Sequence, residues 1–135
     1  AVSALLTAAL AAAGVPPEAV DHVNAHGTGT PQNDRTEAKG LRRVFGDRTA
    51  AIPVTSIKSM VGHCLGAAGA IEAAALALSI DRSVIPPTIH HRQTDPECEI
   101  DVVANTSRRQ AVRCGISTSL AFGGNDAAIV LRQAG

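Results

Sequence analysis

Aromatic side chains are almost absent from this sequence, which has two phenylalanines, no tyrosine and no tryptophan in 135 residues. Proteins that bind bases largely stack them on aromatic rings, so a stacking surface of that kind is not expected. Surplus charge is absent as well, because 12 lysine and arginine residues balance 12 aspartate and glutamate residues. A net charge of zero gives no long-range attraction toward nucleic acid, an anionic membrane or an acidic substrate.

Cysteine and long apolar runs are also scarce. The three cysteines, Cys64, Cys98 and Cys114, form neither an even set nor a CxxC pair, so we expect neither a disulfide framework nor a zinc site. His22 and His26 lie in a segment typical of strand and loop, so they share no helix face and no metal site is predicted. No stretch is apolar enough to cross a bilayer, and no leader pattern is present. These absences predict a cytoplasmic protein of a reducing compartment.

Alanine, glycine, valine and leucine dominate the composition, in patterns that alternate between helix and strand. The predicted helices cover 1–13, 33–45 (with Asn33 and Asp34 as its cap) and 67–80. The predicted strands cover 20–24, 52–57 and 100–104, and 112–120 and 127–131 form a terminal hairpin. Because helices and strands alternate first and strands pair locally last, we expect one α/β domain with a mixed sheet. The third helix is apolar on nearly every face and is expected to be buried.

The first of three chemically interesting loops covers 24–31. His26 stands at the end of a strand and is followed by two glycines and by Thr28 and Thr30. The backbone of such a loop can approach a long thin ligand closely, the hydroxyls offer hydrogen bonds, and the histidine can donate to a carbonyl or developing oxyanion. The alternative is an ordinary turn that holds a hydrogen-bonded histidine.

The second loop covers 56–63 and places Lys58 and His63 five residues apart. Downstream, Glu72 is the only carboxylate in the otherwise apolar part of the third helix. A buried carboxylate without a partner would cost several kcal/mol or take up a proton, so Glu72 needs a cation, and Lys58 is the natural candidate. The alternative is that this pair only braces the loop against the helix, with His63 a residue of the helix end.

The third loop covers 117–126 and contains Phe122 followed by Gly123 and Gly124. Glycines permit the backbone to swing or to present amide hydrogens to a ligand. The alternative is a plain hairpin turn with Phe122 packed in the core.

In order and spacing, the three loops resemble those of the β-ketoacyl-acyl-carrier-protein synthases, condensing enzymes of the thiolase fold. Residues 24–31 are similar to the family's first histidine motif, 58–70 to its second, and 121–125 to its glycine-rich gating loop. The resemblance covers the C-terminal half of such an enzyme. It implies that residues 1–135 form a thiolase-like α/β half with a mixed five-stranded sheet, a buried central helix and covering helices. Asp126 and Ala121 depart from the family's usual residues.

The resemblance implies a decarboxylative Claisen condensation of malonyl-carrier protein with an acyl thioester, in fatty-acid or polyketide biosynthesis. His26 and His63 would donate to the malonyl thioester oxygen as it becomes an enolate. Lys58, paired with Glu72, would set the electrostatics and orientation around His63. Phe122 would gate between the acyl and malonyl pockets, and its N–H would contribute to an oxyanion hole.

The remaining implied roles are supporting ones. Asp34 and Glu37 would support the first loop, and the implied substrate-binding residues are Thr28, Thr30, Gly123 and Gly124. No cofactor is implied, since the substrates arrive on the phosphopantetheine of an acyl carrier protein.

The nucleophilic cysteine of the family lies in the N-terminal half, which is not in this sequence. Cys64 follows His63 at a helix start, but its position in the family serves ordinary packing. The chain is therefore expected to be inactive until a cysteine-bearing N-terminal half completes it, as a dimer, and to expose a large apolar face by itself. The alternative is a non-catalytic subunit, like a chain-length factor or scaffold. Retention of His26, His63, Lys58 and Phe122 favours the enzyme.

Overall fold

A computed structural model describes all residues from 1 to 135. The helices are α1 (Val2–Ala13), α2 (Pro31–Phe45), α3 (Lys58–Val61) and α4 (Ala68–Arg82). The strands are β1 (His22–Asn24), β2 (Pro53–Thr55), β3 (Val84–Ile85), β4 (Asp101–Val102), β5 (Arg108–Arg109), β6 (Cys114–Ser119) and β7 (Ala127–Arg132). None of the helices is long and apolar enough to cross a membrane.

Five strands form the main sheet in the order β4-β2-β1-β6-β7. β1 is parallel to both of its neighbours, β2 and β6, and β7 pairs with β6 as an antiparallel hairpin. The predicted mixed five-stranded sheet and terminal hairpin are confirmed. A second, antiparallel pair of β3 and β5 was not predicted, because strands of two residues are too short to show an alternating pattern.

The two faces of β1 show where the helices lie. Val23 belongs to the main core, together with Leu6 of α1 and Leu41 of α2. The next residue, Asn24, faces the other way, and its Nδ2 donates to the main-chain carbonyl of Glu72 in α4 at 3.1 Å. Since successive side chains of a strand alternate between faces, α1 and α2 cover one face of the sheet and α4 covers the other.

α4 packs very closely on β6. A Cβ placed at Gly115 of β6 would lie 2.5 Å from Leu76 Cδ1, so only glycine allows this approach. The buried residues of α4 share the face toward the sheet and are Ala68, Glu72, Leu76 and Ser79. The exposed side chains of Ile71 and Leu78 lie on the flank of this buried face. The predicted burial of this helix therefore holds for one face.

Large apolar side chains are exposed in several further places. They are Met60, Val61, Leu65, Phe122 and Ile129. Ile71 and Leu78 of α4 are exposed as well.

Two local predictions are wrong. Helix α2 begins at Pro31 with Thr30 as its N-cap, and not after an Asn33–Asp34 cap. Proline suits the first helical position because its φ is preset and its missing N–H is not needed there. The segment after β2 is also not a simple loop, because it contains the short helix α3.

Candidate active site

The two histidines predicted for the site lie side by side. The loops after β1 and β2 leave the sheet at the same edge because these strands are parallel neighbours. The ring of His26, from the first loop, meets that of His63, from the second, edge to face with centroids 5.4 Å apart and planes at 81°. His26 is buried, whereas His63 is exposed. A small group between them and the solvent could therefore touch both rings.

Lys58 and Glu72 form a buried ion pair beside His26. The lysine Nζ contacts Glu72 Oε1, and the side chains are only 6% and 2% exposed. The same Nζ lies 3.4 Å from Nδ1 of His26. A lysine ammonium group has donors only, so Nδ1 of His26 accepts and the ring proton sits on Nε2. Lys58 thus contacts His26 directly, and not His63 as the resemblance implied.

The tautomer of His63 is set by the backbone. The N–H of Leu65 donates to His63 Nδ1 at 3.1 Å, so the proton of a neutral His63 ring is on Nε2. Both rings therefore have an acceptor nitrogen held by the protein and an Nε2–H available to donate.

His26 is a neutral imidazole over the physiological range. Burial lowers its pKa to about 4, with further lowering by the positive charge of Lys58 and by His63, while Asp126 acts in the opposite direction. Desolvation and nearby cations both disfavour the imidazolium form, which explains the direction of the shift.

Glu37 holds the backbone on both sides of the first histidine. Its Oε1 accepts from the N–H of His26 at 2.8 Å, and its Oε2 accepts from the N–H of Gly27 at 2.9 Å. The hydroxyl of Thr118 donates to Oε1 at 2.6 Å and also accepts from the N–H of His26 at 3.1 Å. Burial raises the pKa of Glu37, and these hydrogen bonds oppose that rise. The carboxylate on α2 therefore fixes the path of the first loop.

Asp34 supports the same loop nearer the surface. Its Oδ1 accepts from the N–H of Gly29 at 3.3 Å and from Asn33 Nδ2 at 3.1 Å. The hydroxyls of Thr28 and Thr30 lie 2.8 Å apart and bond to each other. The predicted residues Asp34, Glu37, Thr28 and Thr30 are thus all brought to the first loop.

A cavity of about 490 Å³ opens beside these residues. Five of the predicted site residues line it, namely Thr28, Asp34, Glu37, Lys58 and His63. The segment that follows β3 forms its other wall, including Thr88, His91 and Thr94. The cavity therefore connects the lysine and the second histidine with the hydroxyl of Thr28.

The glycine-rich loop lies near the site, but the aromatic ring in it does not contact the histidines. Phe122 is fully exposed, so the alternative that places it in the core is wrong. Gly123 and Gly124 have φ of +81° and +80°, values that favour glycine. Asp126 lies close enough to His26 to influence its pKa, and it accepts from the N–H of Ala121 at 3.3 Å.

Sequence reasoning missed three residues of this site: Asn24, Ser56 and Thr118. Asn24 and Thr118 are polar residues within buried strands. Because a buried polar group needs a hydrogen-bond partner, their position in these strands was a signal that they belong to the site. Ser56 donates to the carbonyl of Gly27 at 2.7 Å. Three buried side-chain atoms lack a protein partner: Asn24 Oδ1, Glu72 Oε2 and His22 Nε2.

The remaining cysteines and histidines form no second centre. No group of three or more histidine, cysteine, aspartate or glutamate side chains is arranged to hold a metal ion. Burial raises the pKa of the Cys98 and Cys114 thiols, which keeps them protonated. Cys64 is partly exposed, and its Sγ lies 3.7 Å from the carbonyl of Val61. None of the three cysteines forms a disulfide.

Comparison with known proteins identifies the family of the chain. Residues 1–92 match the family described as the C-terminal domain of beta-ketoacyl synthase. The chain is 44% identical over 130 residues to Nodulation protein E of Rhizobium sp. (strain N33), covering 96% of this chain and 32% of the relative. It is 48% identical over 128 residues to the tetracenomycin polyketide synthase ketoacyl synthase alpha subunit of Streptomyces glaucescens, covering 95% of this chain and 30% of that protein.

A solved structure shows the same fold. It is described as AntDE:AntF, a type II PKS acyl-carrier protein in complex with its ketosynthase bound to the hexaketide. The similarity has a TM-score of 0.97 at 36% identity and covers all of this chain and 33% of that one. The chain thus spans about a third of the length of the proteins that it resembles.

Proposed function

This chain belongs to the β-ketoacyl synthase family, in which it corresponds to the C-terminal domain, and we propose that it supplies the malonyl-activating half of a decarboxylative condensation site. The observation that carries the proposal is the pair of adjacent imidazoles, 5.4 Å apart, each with Nδ1 held by the protein. Two Nε2–H groups are then free to donate to one oxygen.

Decarboxylation of a malonyl thioester is favoured by two hydrogen-bond donors at the thioester oxygen. When malonyl thioester loses carbon dioxide, the electrons of the broken carbon–carbon bond pass to the α-carbon and, by resonance, to the thioester oxygen. Two donors placed in advance at that oxygen stabilise the enolate more than the neutral carbonyl. His26 is neutral because its pKa is lowered to about 4, so it acts as a hydrogen-bond donor and not as a proton source.

Lys58 and Glu72 hold the first histidine in the useful tautomer. The ammonium group approaches Nδ1 and keeps it unprotonated, while Glu72 compensates the buried charge. The resemblance implied that Lys58 orients His63. The contacts support a role at His26, with His63 oriented by the N–H of Leu65.

The substrate would enter along the cavity that connects His63 and Lys58 with Thr28. A phosphopantetheine arm is long, thin and rich in amides, and the hydroxyls of Thr28 and Thr30 suit such a group. The acyl carrier protein is the proposed partner that delivers it, and the related ketosynthase AntDE was solved with its acyl-carrier protein. Gly123, Gly124 and Phe122 would form the gate beside this path.

The acyl group would wait on a cysteine of an N-terminal half. The relatives are about three times as long as this chain, which leaves room for such a half. The exposed side chains Ile71, Leu78 and Leu65 are proposed to pack against that half. Polyketide assembly is the proposed setting, since the similar alpha subunit belongs to a polyketide synthase.

The test is malonyl decarboxylation by the enzyme assembled from this chain and its cysteine-bearing half. His26→Ala and His63→Ala should each abolish decarboxylation and leave acylation of the cysteine largely intact, because that step does not use the malonyl oxygen. An unchanged decarboxylation rate in both variants would refute the assignment. It would favour the alternative of a non-catalytic subunit like a chain-length factor, whose histidines face no reacting group.

A further inference from the structure

Ser56 links the two loops that carry the paired histidines. Its hydroxyl donates to the carbonyl of Gly27 at 2.7 Å. The N–H of the same glycine donates to Glu37 Oε2 at 2.9 Å. Gly27 follows His26 directly, so the backbone next to the catalytic ring is held through its N–H from one side and through its carbonyl from the other.

The contact between Ser56 and Gly27 is too close for any other side chain. A Cβ built on Gly27 would lie 2.5 Å from Ser56 Cβ and 2.8 Å from its Oγ, and the glycine has φ of +41°. Ser56 is itself buried. The hydrogen bond therefore forms in a tightly packed place with little water to replace it.

Ser56 is firmly held in the second loop. Its N–H donates to Thr88 Oγ1 at 2.9 Å, and its carbonyl accepts from the hydroxyl of Ser59 at 3.0 Å. The hydroxyl of Ser59 in turn accepts from the N–H of Ile89 at 2.9 Å. The segment after β3 thus holds Ser56 in place. The hydrogen bond from Ser56 therefore fixes the position of Gly27 relative to the second loop.

The link lies at the position that decides how Lys58 meets His26. The residue before His26 is tied to this segment too, since the N–H of Ala25 donates to the carbonyl of Thr55 at 2.8 Å. Both chain neighbours of His26 are thus attached to residues 55 and 56, and Lys58 follows two residues later. The separation of 3.4 Å between Lys58 Nζ and His26 Nδ1 is near the upper limit for a hydrogen bond, so a small shift would break it.

We propose that Ser56 is a positioning residue, which sets the distance between Lys58 and His26 and thereby keeps the His26 ring in its Nε2–H tautomer. It acts through the backbone of Gly27, whose carbonyl accepts its hydroxyl hydrogen bond. The effect on decarboxylation rests on the proposed function of the chain, whereas the effect on the His26 tautomer does not.

The test is Ser56→Ala in the assembled enzyme. Two quantities are measured: the ¹⁵N resonances of the His26 ring in protein labelled at histidine, assigned against His26→Ala, and the kinetics of malonyl decarboxylation. In the variant the His26 signals should move toward a mixture of the two tautomers. The kcat for decarboxylation should fall by about three- to tenfold, the size expected for one lost hydrogen bond, with KM for the malonyl-carrier protein changed by less than about twofold.

Ser79→Ala is the matched control. Ser79 is also a buried serine whose hydroxyl donates to a carbonyl, that of Ala75 at 3.0 Å, but it lies in α4 away from both loops. It should lower the thermal midpoint about as much as Ser56→Ala does, with the His26 signals and kcat unchanged.

The outcomes separate the two proposals. A Ser56→Ala enzyme with wild-type His26 signals and wild-type kcat overturns the positioning role, and so does a Ser79→Ala enzyme with equal losses in both. If the unmodified enzyme does not decarboxylate malonyl groups, the proposed function fails, and the His26 resonances of Ser56→Ala still decide whether Ser56 positions the ring.

Discussion

Nζ of Lys58 lies 3.4 Å from Nδ1 of His26 while it is held by Glu72, so one buried cation serves both an ion pair and an imidazole. The two contacts have different energetic weight. The ion pair compensates two charges that are nearly inaccessible to water, whereas the contact with the ring selects a tautomer. Stability and catalysis should therefore respond differently when the pair is replaced as a whole.

Lys58→Met should destabilise the assembled enzyme by about 3–5 kcal/mol, because removal of one partner leaves a buried charge without compensation. Glu72 Oε2 already lacks a hydrogen-bond partner. The double variant Lys58→Met/Glu72→Leu should regain most of that stability in urea unfolding, since an apolar pair of similar volume is often neutral. Decarboxylation should not return with it. Recovery of the rate in the double variant would show that Nδ1 of His26 needs no donor from Lys58.

The stability of the protein should fall as the pH is lowered from about 6.5 to about 4. Burial lowers the pKa of His22 to about 4, and that of His26 also lies at about 4. In this window the unfolded chain, with its histidines near their ordinary value of 6.5, binds more protons than the folded chain, so acidification favours unfolding. Glu37 acts in the opposite sense, because its raised pKa lets the folded state hold the proton more tightly.

His22→Gln isolates one of these contributions. Urea midpoints at about pH 7.5 and about pH 5 should differ less in this variant than in the unmodified protein, because between these pH values the unfolded chain no longer takes up the proton of His22. His90→Gln, the same change at an exposed histidine, is the control for the substitution itself. An equal pH dependence in His22→Gln and the unmodified protein would contradict the lowered pKa of His22.

Gly27→Ala should be much more harmful than Gly29→Ala. Both glycines have positive φ, +41° and +72°, so alanine is strained at either position by about 1–2 kcal/mol. Only at Gly27 would the new Cβ also collide with Ser56, at 2.5 Å, since nothing lies within 4 Å of a Cβ at Gly29. Thermal midpoints and decarboxylation rates of the two variants, measured side by side, check this. Similar losses of thermal midpoint and rate in both variants would mean that the first loop moves away from Ser56 and so avoids the collision.

Leu78→Asp should prevent assembly with the cysteine-bearing half. The side chain is 56% exposed on the flank of α4, so a charge there is tolerated by this chain but not in an apolar contact. Native mass spectrometry of the two halves mixed together should show the complex for the unmodified chain and free subunits for the variant. Thr7→Asp, at an exposed residue of α1, is the control and should assemble normally. A lone, monodisperse monomer of the unmodified chain would contradict the proposal that it works as half of an enzyme.

Much of the fold follows from patterns that short-range physics produces. The helix near the start ends at Gly14, and the hairpin near the end alternates, so both were predicted from the sequence and confirmed. The start of α2 was missed by a few residues because the proline at position 31 competes with the capping residues Asn33 and Asp34. Strands β3 and β5 were missed because two residues carry no periodicity.

The contacts within the site were harder to predict from sequence patterns. Spacing and residue type indicated His26, His63 and Lys58, and the need of Glu72 for a cation indicated its partner. The contacts that hold the first loop cross the fold, however, since Thr118 lies 92 residues from the backbone of His26 that it binds. No local pattern relates residues so far apart in sequence.

By itself the sequence determined the chemical groups of this protein, the order of its helices and strands, and the family to which it belongs, because these depend on residue type and on patterns within a few residues. Only the tertiary structure decided that Lys58 contacts His26 and not His63, that Glu37 and Ser56 hold the peptide groups of Gly27, and that one face of α4 is exposed. These relations depend on which strands are neighbours in the sheet. They depend on contacts of 2.7 to 3.4 Å between residues that the chain brings together only when it folds.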